Sequence, residues 1–379
     1  MREVRQMVPK MRERAFEHDR DSSFPKADFN DLREAGLLGI MVPGRLKGMG
    51  ATFREYVDVA YHLGRGNGAT GLIFNMHAGV TGALATVPDE LAEELGAADY
   101  PARRDEVLTG AVNGSLYAVA MSERGVGSRL SKMASRYRRV DGGFHLTADK
   151  AFVSGAGYAD AYLVAARSIE NPDTISQLLV PATDGVTVEP TWDTMGMRAT
   201  GSHDVHFDVT LPPTALVGGV EGITLLAAQI APHWMVASYA AVYIGVARAA
   251  IEAAVEQANQ RNLATLPSVR ARLGRADAMV SAALSTLRHA ASLVDAGDPD
   301  AATWVWRAKL LAGDVAAATT ASMMEVAGAS AIRTGNPLER LFRDARCGAL
   351  QPATSDVCAD WLGVTALGGD PYATSEPRW

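Results

Sequence analysis

The chain has 379 residues, 48% hydrophobic and 21% charged, with a formal net charge of −7. That length allows roughly two or three buried domain cores, and an acidic balance with no basic run among aromatics excludes a nucleic-acid partner. Its two cysteines, Cys347 and Cys358, make neither a disulfide framework nor a metal-ligand spacing, which fits a reducing, cytoplasmic setting.

The opening stretch MREVRQMVPKMRERAFEHDRD carries charges throughout and does not read as a secretory signal. Residues 1–116 read as helices with short Gly and Pro breaks: 28–36 has a polar start and a Gly stop, 56–64 is periodic, and 69–85 places small and apolar residues at helical spacing. His77 lies inside the last of these, where a lone His on an apolar helix is ordinarily a hydrogen-bonded core residue.

Residues 117–220 turn to β. Alternation predicts strands over 117–121, 135–140, 143–147 and 161–166, and Asp141-Gly142 marks a hairpin. Ser122, Glu123, Gly125, Gly127 and Ser128 form a Gly-rich loop, ordinarily a plain turn, whose amides and hydroxyls also suit a polar or anionic ligand. His203 and His206 face opposite sides of a predicted strand, so they cannot share a metal, and no metal site is expected.

Residues 221–379 are helical again over 237–258, 270–296, 301–328 and 338–345, with Met323, Met324, Trp304 and Trp306 as core residues. The apolar run 223–247 is long enough to span a bilayer, but Gln229, Pro232 and His233 interrupt it. A buried bundle helix in a soluble protein, away from membranes, is the reading. The fold class is α+β, with a β-unit between two helical ones.

Three blocks carry a resemblance. Met121 to Ser128, Lys150 to Ser154 and Met195 to Arg198 resemble, in order and spacing, the middle domain of the acyl-CoA dehydrogenase superfamily, with its T-E-x-G-x-G-S, K-x-[WF]-[IV]-[ST] and L-G-x-R motifs. Leu37 to Pro43, with Gly48 and Gly50, is similar to the family's first domain. The resemblance implies an N-terminal helical domain, a middle β-barrel domain and a C-terminal four-helix bundle that forms homodimers or homotetramers. It also implies a flavin, FAD or FMN. Carried over, Met121 and Ser122 would meet the pyrimidine side of the ring and Ser128 would close the loop. Phe152 would stack near the ring, the Ser154 hydroxyl would approach N5, and Arg198 to Ser202 would lie beside the ring or the pocket rim. A flavin is tuned by such hydrogen bonds and shielded by such an aromatic wall.

The chain departs from the dehydrogenases where their chemistry starts. Removing the α-proton of an acyl thioester needs a positioned base, and the two family positions for that Glu hold Pro352 and Met235, with Val236 replacing the Arg that follows. The R-x-x-F-G set for the FAD pyrophosphate is reduced to Arg261, and the Q-x-x-G-G-x-G-Y set reads Glu325 to Ile332, keeping Gly328. FMN, or loosely held reduced flavin, then becomes credible beside FAD.

Gly196 to Asp204 (G-M-R-x-T-G-S-x-D) and Gly328 to Asp344 resemble the class D flavin-dependent monooxygenase branch, where the residue seven past that Asp is usually His and here is Gln351. This implies oxygen transfer from reduced flavin and O2 to a small or carrier-bound substrate, with a flavin reductase as partner. Ser154 would be the donor near N5, assisted by His77, His233 and Gln351. Two alternatives stand: an acyl-CoA or acyl-carrier dehydrogenase recruiting Asp356 or Glu325 as base and passing electrons to a transfer partner, and a non-catalytic subunit of a hetero-oligomer.

Overall fold

The computed structural model describes residues 2–86, 88–94, 96–223 and 233–371. Helix α1 (Arg2–Asp21) buries Val4, Val8, Met11 and Ala15, a stripe at helical spacing that packs on α3. After α2 (Lys26–Glu34), α3 (Phe53–Gly66) starts at a capping box: Thr52 Oγ1 accepts the Glu55 N–H and Glu55 Oε2 accepts the Thr52 N–H. Asn67 caps α4 (Gly68–Ala85), and the short α5 (Asp89–Glu94) and α6 (Tyr100–Val112) lead to the sheet.

The sheet has seven strands: β1 (Tyr117–Ala120), β2 (Arg136–Val140), β3 (Gly143–Val153), β4 (Ala161–Ser168), β5 (Ile175–Pro181), β6 (Val186–Glu189) and β7 (His203–Leu211). β1 and β2 both run parallel to β4, with β5 antiparallel to it, while β2, β3, β7 and β6 follow one another antiparallel. Its own core gathers Tyr137, Leu146, Val153, Tyr162, Val205 and Phe207. Strand β3 runs past the predicted end at Thr147 to Val153 because a buried Lys150 stands at a core-facing position and masks the alternation.

The remaining helices are α7 (His233–Gln260), α8 (Pro267–Asp295), α9 (Ala301–Ala327), α10 (Pro337–Leu350) and α11 (Ser355–Ala366). The first four form the bundle, and α11 lies on α9. Helix α7 also crosses α3 at backbone contact: a Cβ at Gly64 would lie 2.2 Å from the Val242 carbonyl oxygen, and one at Gly245 would lie 2.3 Å from that of Tyr61. One hydrophobic core therefore runs through both helical regions, with the sheet attached as a separate layer. Of the apolar run 223–247, residues 224–232 lie outside the described residues, and residues 233–247 are in α7. Segments Ser238–Gln260 and Ala301–Ile332 are long and apolar enough to cross a membrane; both lie in the helical bundle, 72% and 44% buried.

The three regions are locked at one corner. Arg343 of α10 pairs with Asp19 of α1 at 2.6 Å, and the neighbouring Asp344 accepts the Met197 N–H at 2.7 Å. The Arg343 carbonyl leaves Gly196 no room for a side chain. The G-M-R and F-R-D stretches are thus one joint.

Candidate functional site

The sequence blocks singled out in the β-region form one unit. The Ser122–Ser128 loop is fastened at three points: the Ser122 carbonyl accepts the Ala151 N–H at 2.8 Å, Glu123 takes Lys150 Nζ at 2.8 Å, and Arg124 pairs with Asp204. Burial alone would push the Glu123 carboxyl up, but hydrogen bonds from Lys150, Ser135 and Ala134 hold it below the usual carboxylate range. Burial pulls the Lys150 ammonium down, with Glu123 opposing. Lys150 Nζ also reaches the Met121 carbonyl at 3.3 Å, which fixes Met121, a buried residue, at the end of β1.

Beside this loop, Lys150 pairs with Val205 and Val153 with His203, so two residues of β3 oppose the single Asp204 of β7. The bulge turns Phe152 out of the core, at φ +60° and 61% exposed, with Trp192 edge-on at 6.0 Å. A non-glycine residue in that conformation is strained, and the fold gives no reason for an exposed phenyl ring there. A flat aromatic ring laid against it would cover it. Two residues on, Ser154 Oγ lies 2.9 Å from Ser202 Oγ, Ser202 Oγ lies 2.7 Å from Thr200 Oγ1, and Thr200 Oγ1 donates to the Met197 carbonyl at 2.9 Å. An apolar wall next to a polar hydroxyl edge is the chemistry an isoalloxazine needs, so Met121, Ser122, Phe152 and Ser154, with half-buried Ser128 closing the loop, fit the group.

Other sequence candidates are placed differently. His77 is fully buried: Nε2 donates to the Leu38 carbonyl at 2.7 Å and Nδ1 accepts the Tyr117 N–H at 3.1 Å. Burial pulls its pKa down to about 4, so it is a neutral strut between α4 and β1 with no ring nitrogen to spare for catalysis. The Arg198 guanidinium is spent on the Asp19 and Thr194 carbonyls and ties β-region to α1. His233, also depressed to about 4 by burial, packs against Phe53 at 4.7 Å and Trp234 at 5.5 Å, within an aromatic cluster on α3 and α7. Arg261 and Gly328 do come together, but at the end of α9: Arg261 Nη1 donates to the Ala327 carbonyl at 2.5 Å and to Ser330 Oγ at 2.8 Å. That guanidinium is engaged within the bundle, and the residues do not fit a pyrophosphate. Gln351 follows α10, its carbonyl held by buried Lys309 at 3.2 Å.

No replacement base emerges from the other acidic candidates. Glu325 is half exposed and paired with Arg272, and Asp356 is exposed in the first turn of α11. Met235 lies in the first turn of α7, and its side chain is outside the described residues. Sequence reasoning missed Trp192, and it named the Lys150 and Arg198–Ser202 blocks without the Lys150–Glu123 pair or the Ser154–Ser202–Thr200 hydroxyl chain that join them. Lys150 had a signal, a Lys where strand alternation demands an apolar residue.

Comparison with known proteins now decides the family. The chain matches the acyl-CoA dehydrogenase N-terminal domain over residues 1–99, the middle domain over 118–210 and the C-terminal domain over 228–359. It is 30% identical to the amino sugar nitrososynthase RubN8 of Streptomyces rubradiris across 95% of this chain and 88% of that one. The chain belongs to the acyl-CoA dehydrogenase superfamily. Within this family of flavin-dependent oxidoreductases it is also similar to the mitochondrial short-chain specific acyl-CoA dehydrogenase of Mus musculus, 29% identical across 90% of this chain and 83% of that one. A solved structure of KijD3 in complex with FMN and a dTDP-linked amino-keto sugar superposes with a TM-score of 0.83 at 26% identity, covering 96% of this chain and 91% of that one.

Proposed function

We propose that this protein is a flavin-dependent monooxygenase, using reduced FMN from a separate reductase and O2 to oxidise a small or carrier-bound substrate. One observation carries the reading: the two family positions for the proton-abstracting Glu hold Met235 and Pro352. Three carboxylates in or beside the site's segments are already committed, Glu123 to Lys150, Asp204 to Arg124 and Asp344 to Arg340. A dehydrogenase without a base has no way to lift an α-proton; an oxygenase needs none.

When bound, reduced flavin supplies two electrons to dioxygen, so that one oxygen atom enters the substrate and the other leaves as water. The chain's own residues do the rest. Phe152 and Trp192 would give the ring an apolar wall, Met121 and Ser122 would hold its pyrimidine edge, and Ser154 would lie at N5. The joint of Gly196 and Met197 with Asp344 holds that wall against the helices. The engaged Arg261 and the altered Glu325–Ile332 stretch favour FMN over FAD.

The test supplies photoreduced FMN and ¹⁸O2 with a substrate panel that includes dTDP-linked amino sugars, which the KijD3 likeness puts first. An ¹⁸O-labelled product is expected. The likeness to the short-chain enzyme supports the rival reading, dehydrogenation, and bleaching of bound flavin by butyryl-CoA would establish it instead.

A further inference from the structure

The stretch Thr200-Gly201-Ser202 does more than shape a turn. Thr200, Ser202 and Ser154 are 0%, 4% and 6% exposed, so their hydroxyls settle hydrogen bonds among themselves and the backbone. Each hydroxyl has one proton to give, and a carbonyl has none. The chain Ser154–Ser202–Thr200 ends on the Met197 carbonyl, an acceptor that cannot reverse, at 2.9 Å from Thr200 Oγ1. Assigning protons from that fixed end, Thr200 donates to Met197, Ser202 to Thr200, and Ser154 to Ser202. The Ser154 proton is therefore turned inward. What Ser154 shows outward is a lone pair, so it would meet N5 as an acceptor and not as the donor that the resemblance implied.

The end of the chain is held firmly. Met197 sits at φ +54° and Gly201 at φ +51°, the Met197 N–H is taken by Asp344 at 2.7 Å, and the Thr200 carbonyl accepts the Gly155 N–H at 2.8 Å. Trp192 Nε1 also donates to the Met197 carbonyl, at 3.1 Å, so the ring that stands edge-on to Phe152 is tied to the same anchor.

Flavin N5 is a bare acceptor in the oxidised cofactor and carries a hydrogen in the reduced one. We propose that Ser202 and Thr200 are positioning residues that orient Ser154 as an acceptor, so that the site selects reduced flavin over oxidised flavin. This rests on the proposed placement of N5 at Ser154 and deepens it: the protein would capture the reduced cofactor from its supplier and release the oxidised one.

The test measures dissociation constants for oxidised FMN in air and photoreduced FMN without oxygen, together with the midpoint potential of bound FMN. The native chain is expected to hold reduced FMN about tenfold more tightly, the scale of one hydrogen bond, which raises the potential of the two-electron couple by about 30 mV. Ser202→Ala leaves the Ser154 proton without an inward acceptor, free to turn toward N5. The preference should vanish or reverse, with Ser154→Ala also losing it and Thr200→Ser retaining it. Should Ser202→Ala fold poorly, Thr200→Val breaks the relay at its other end and gives the same readout. Equal or tighter binding of oxidised FMN by the native chain overturns the relay, as does an unchanged preference in Ser202→Ala. Failure to bind FMN in either form overturns the placement of the flavin itself.

Discussion

Buried polar groups behave oppositely in two neighbouring regions. Around Ser154 they are partnered by the protein itself: Glu123 with Lys150, Arg124 with Asp204, and the three hydroxyls with one another. Along the first turns of α7, Trp234 Nε1 and Tyr243 Oη lie in residues only 5% and 1% exposed and have no hydrogen-bond partner among the described residues. Tyr239 Oη has the Met76 sulfur at 4.0 Å. A partnered buried group supports the fold, whereas an orphaned donor costs about 1–3 kcal/mol. The β-side is a wall in which those charged groups and the Ser154–Thr200 hydroxyls are all partnered, Ser135 Oγ being an exception among the described residues, and the helical side carries polar tips without such partners.

That contrast breaks most visibly at Lys150. Lys150→Met strands the Glu123 carboxylate and should cost about 3–5 kcal/mol in urea unfolding, while the double change with Glu123→Gln recovers much of it. Equal losses in single and double variants would show that the pair does not act as one.

His77→Phe comes next, because it orphans the Leu38 carbonyl and the Tyr117 N–H at once; a loss of about 2–4 kcal/mol at pH 7 is expected. The same residue sets a pH dependence. Its folded pKa of about 4 lies below the unfolded value, so between roughly pH 6.5 and 4 the unfolded chain binds the extra proton and stability falls as pH drops. His77→Phe should flatten that slope in urea midpoints compared at pH 7 and 4.5.

His206 works with the other sign and more weakly. Hydrogen bonds to Asp149 at 2.6 Å and Glu189 at 3.1 Å raise its pKa against a small burial penalty. Its contribution is complete below the unfolded value and disappears as pH rises through the raised folded one. The group is largely exposed, so the gain is under about 1 kcal/mol. His206→Gln should lower the melting temperature at pH 6 and leave it unchanged at pH 9.

The smallest effect sharpens the comparison most. Tyr243→Phe removes a hydroxyl without a partner among the described residues, so the melting temperature should hold or rise. Tyr56→Phe removes one bonded to Asn75 at 2.5 Å and should cost about 1 kcal/mol. A clear loss in Tyr243→Phe would place an acceptor at that hydroxyl.

Much of this was legible in the chain. The motifs from Met121 to Asp204 announced the β-region and pointed to one candidate site, since each pairs local turn chemistry with side chains whose partners lie in the next motif. The base positions were readable because Pro352 and Met235 cannot do a carboxylate's work in any fold. The core placement of His77 was the ordinary reading of a lone His on an apolar helix; its two partners were not legible, because they stand 39 and 40 residues away on elements whose approach no local pattern encodes. Arg198 was misread for the same reason: its acceptor on α1 is 179 residues distant. Phe152 was assigned to the ring wall by resemblance alone, and the bulge that exposes it depends on a register shift against β7 that alternation cannot show.

The placement of the flavin is tested most directly by titrating FMN into the native chain, Phe152→Ala and Arg261→Ala, following the quenching of flavin fluorescence. The account predicts at least tenfold weaker binding for Phe152→Ala and native binding for Arg261→Ala, whose guanidinium is already engaged at the end of α9. Native affinity in Phe152→Ala with loss in Arg261→Ala would contradict it and move the cofactor to the helical bundle.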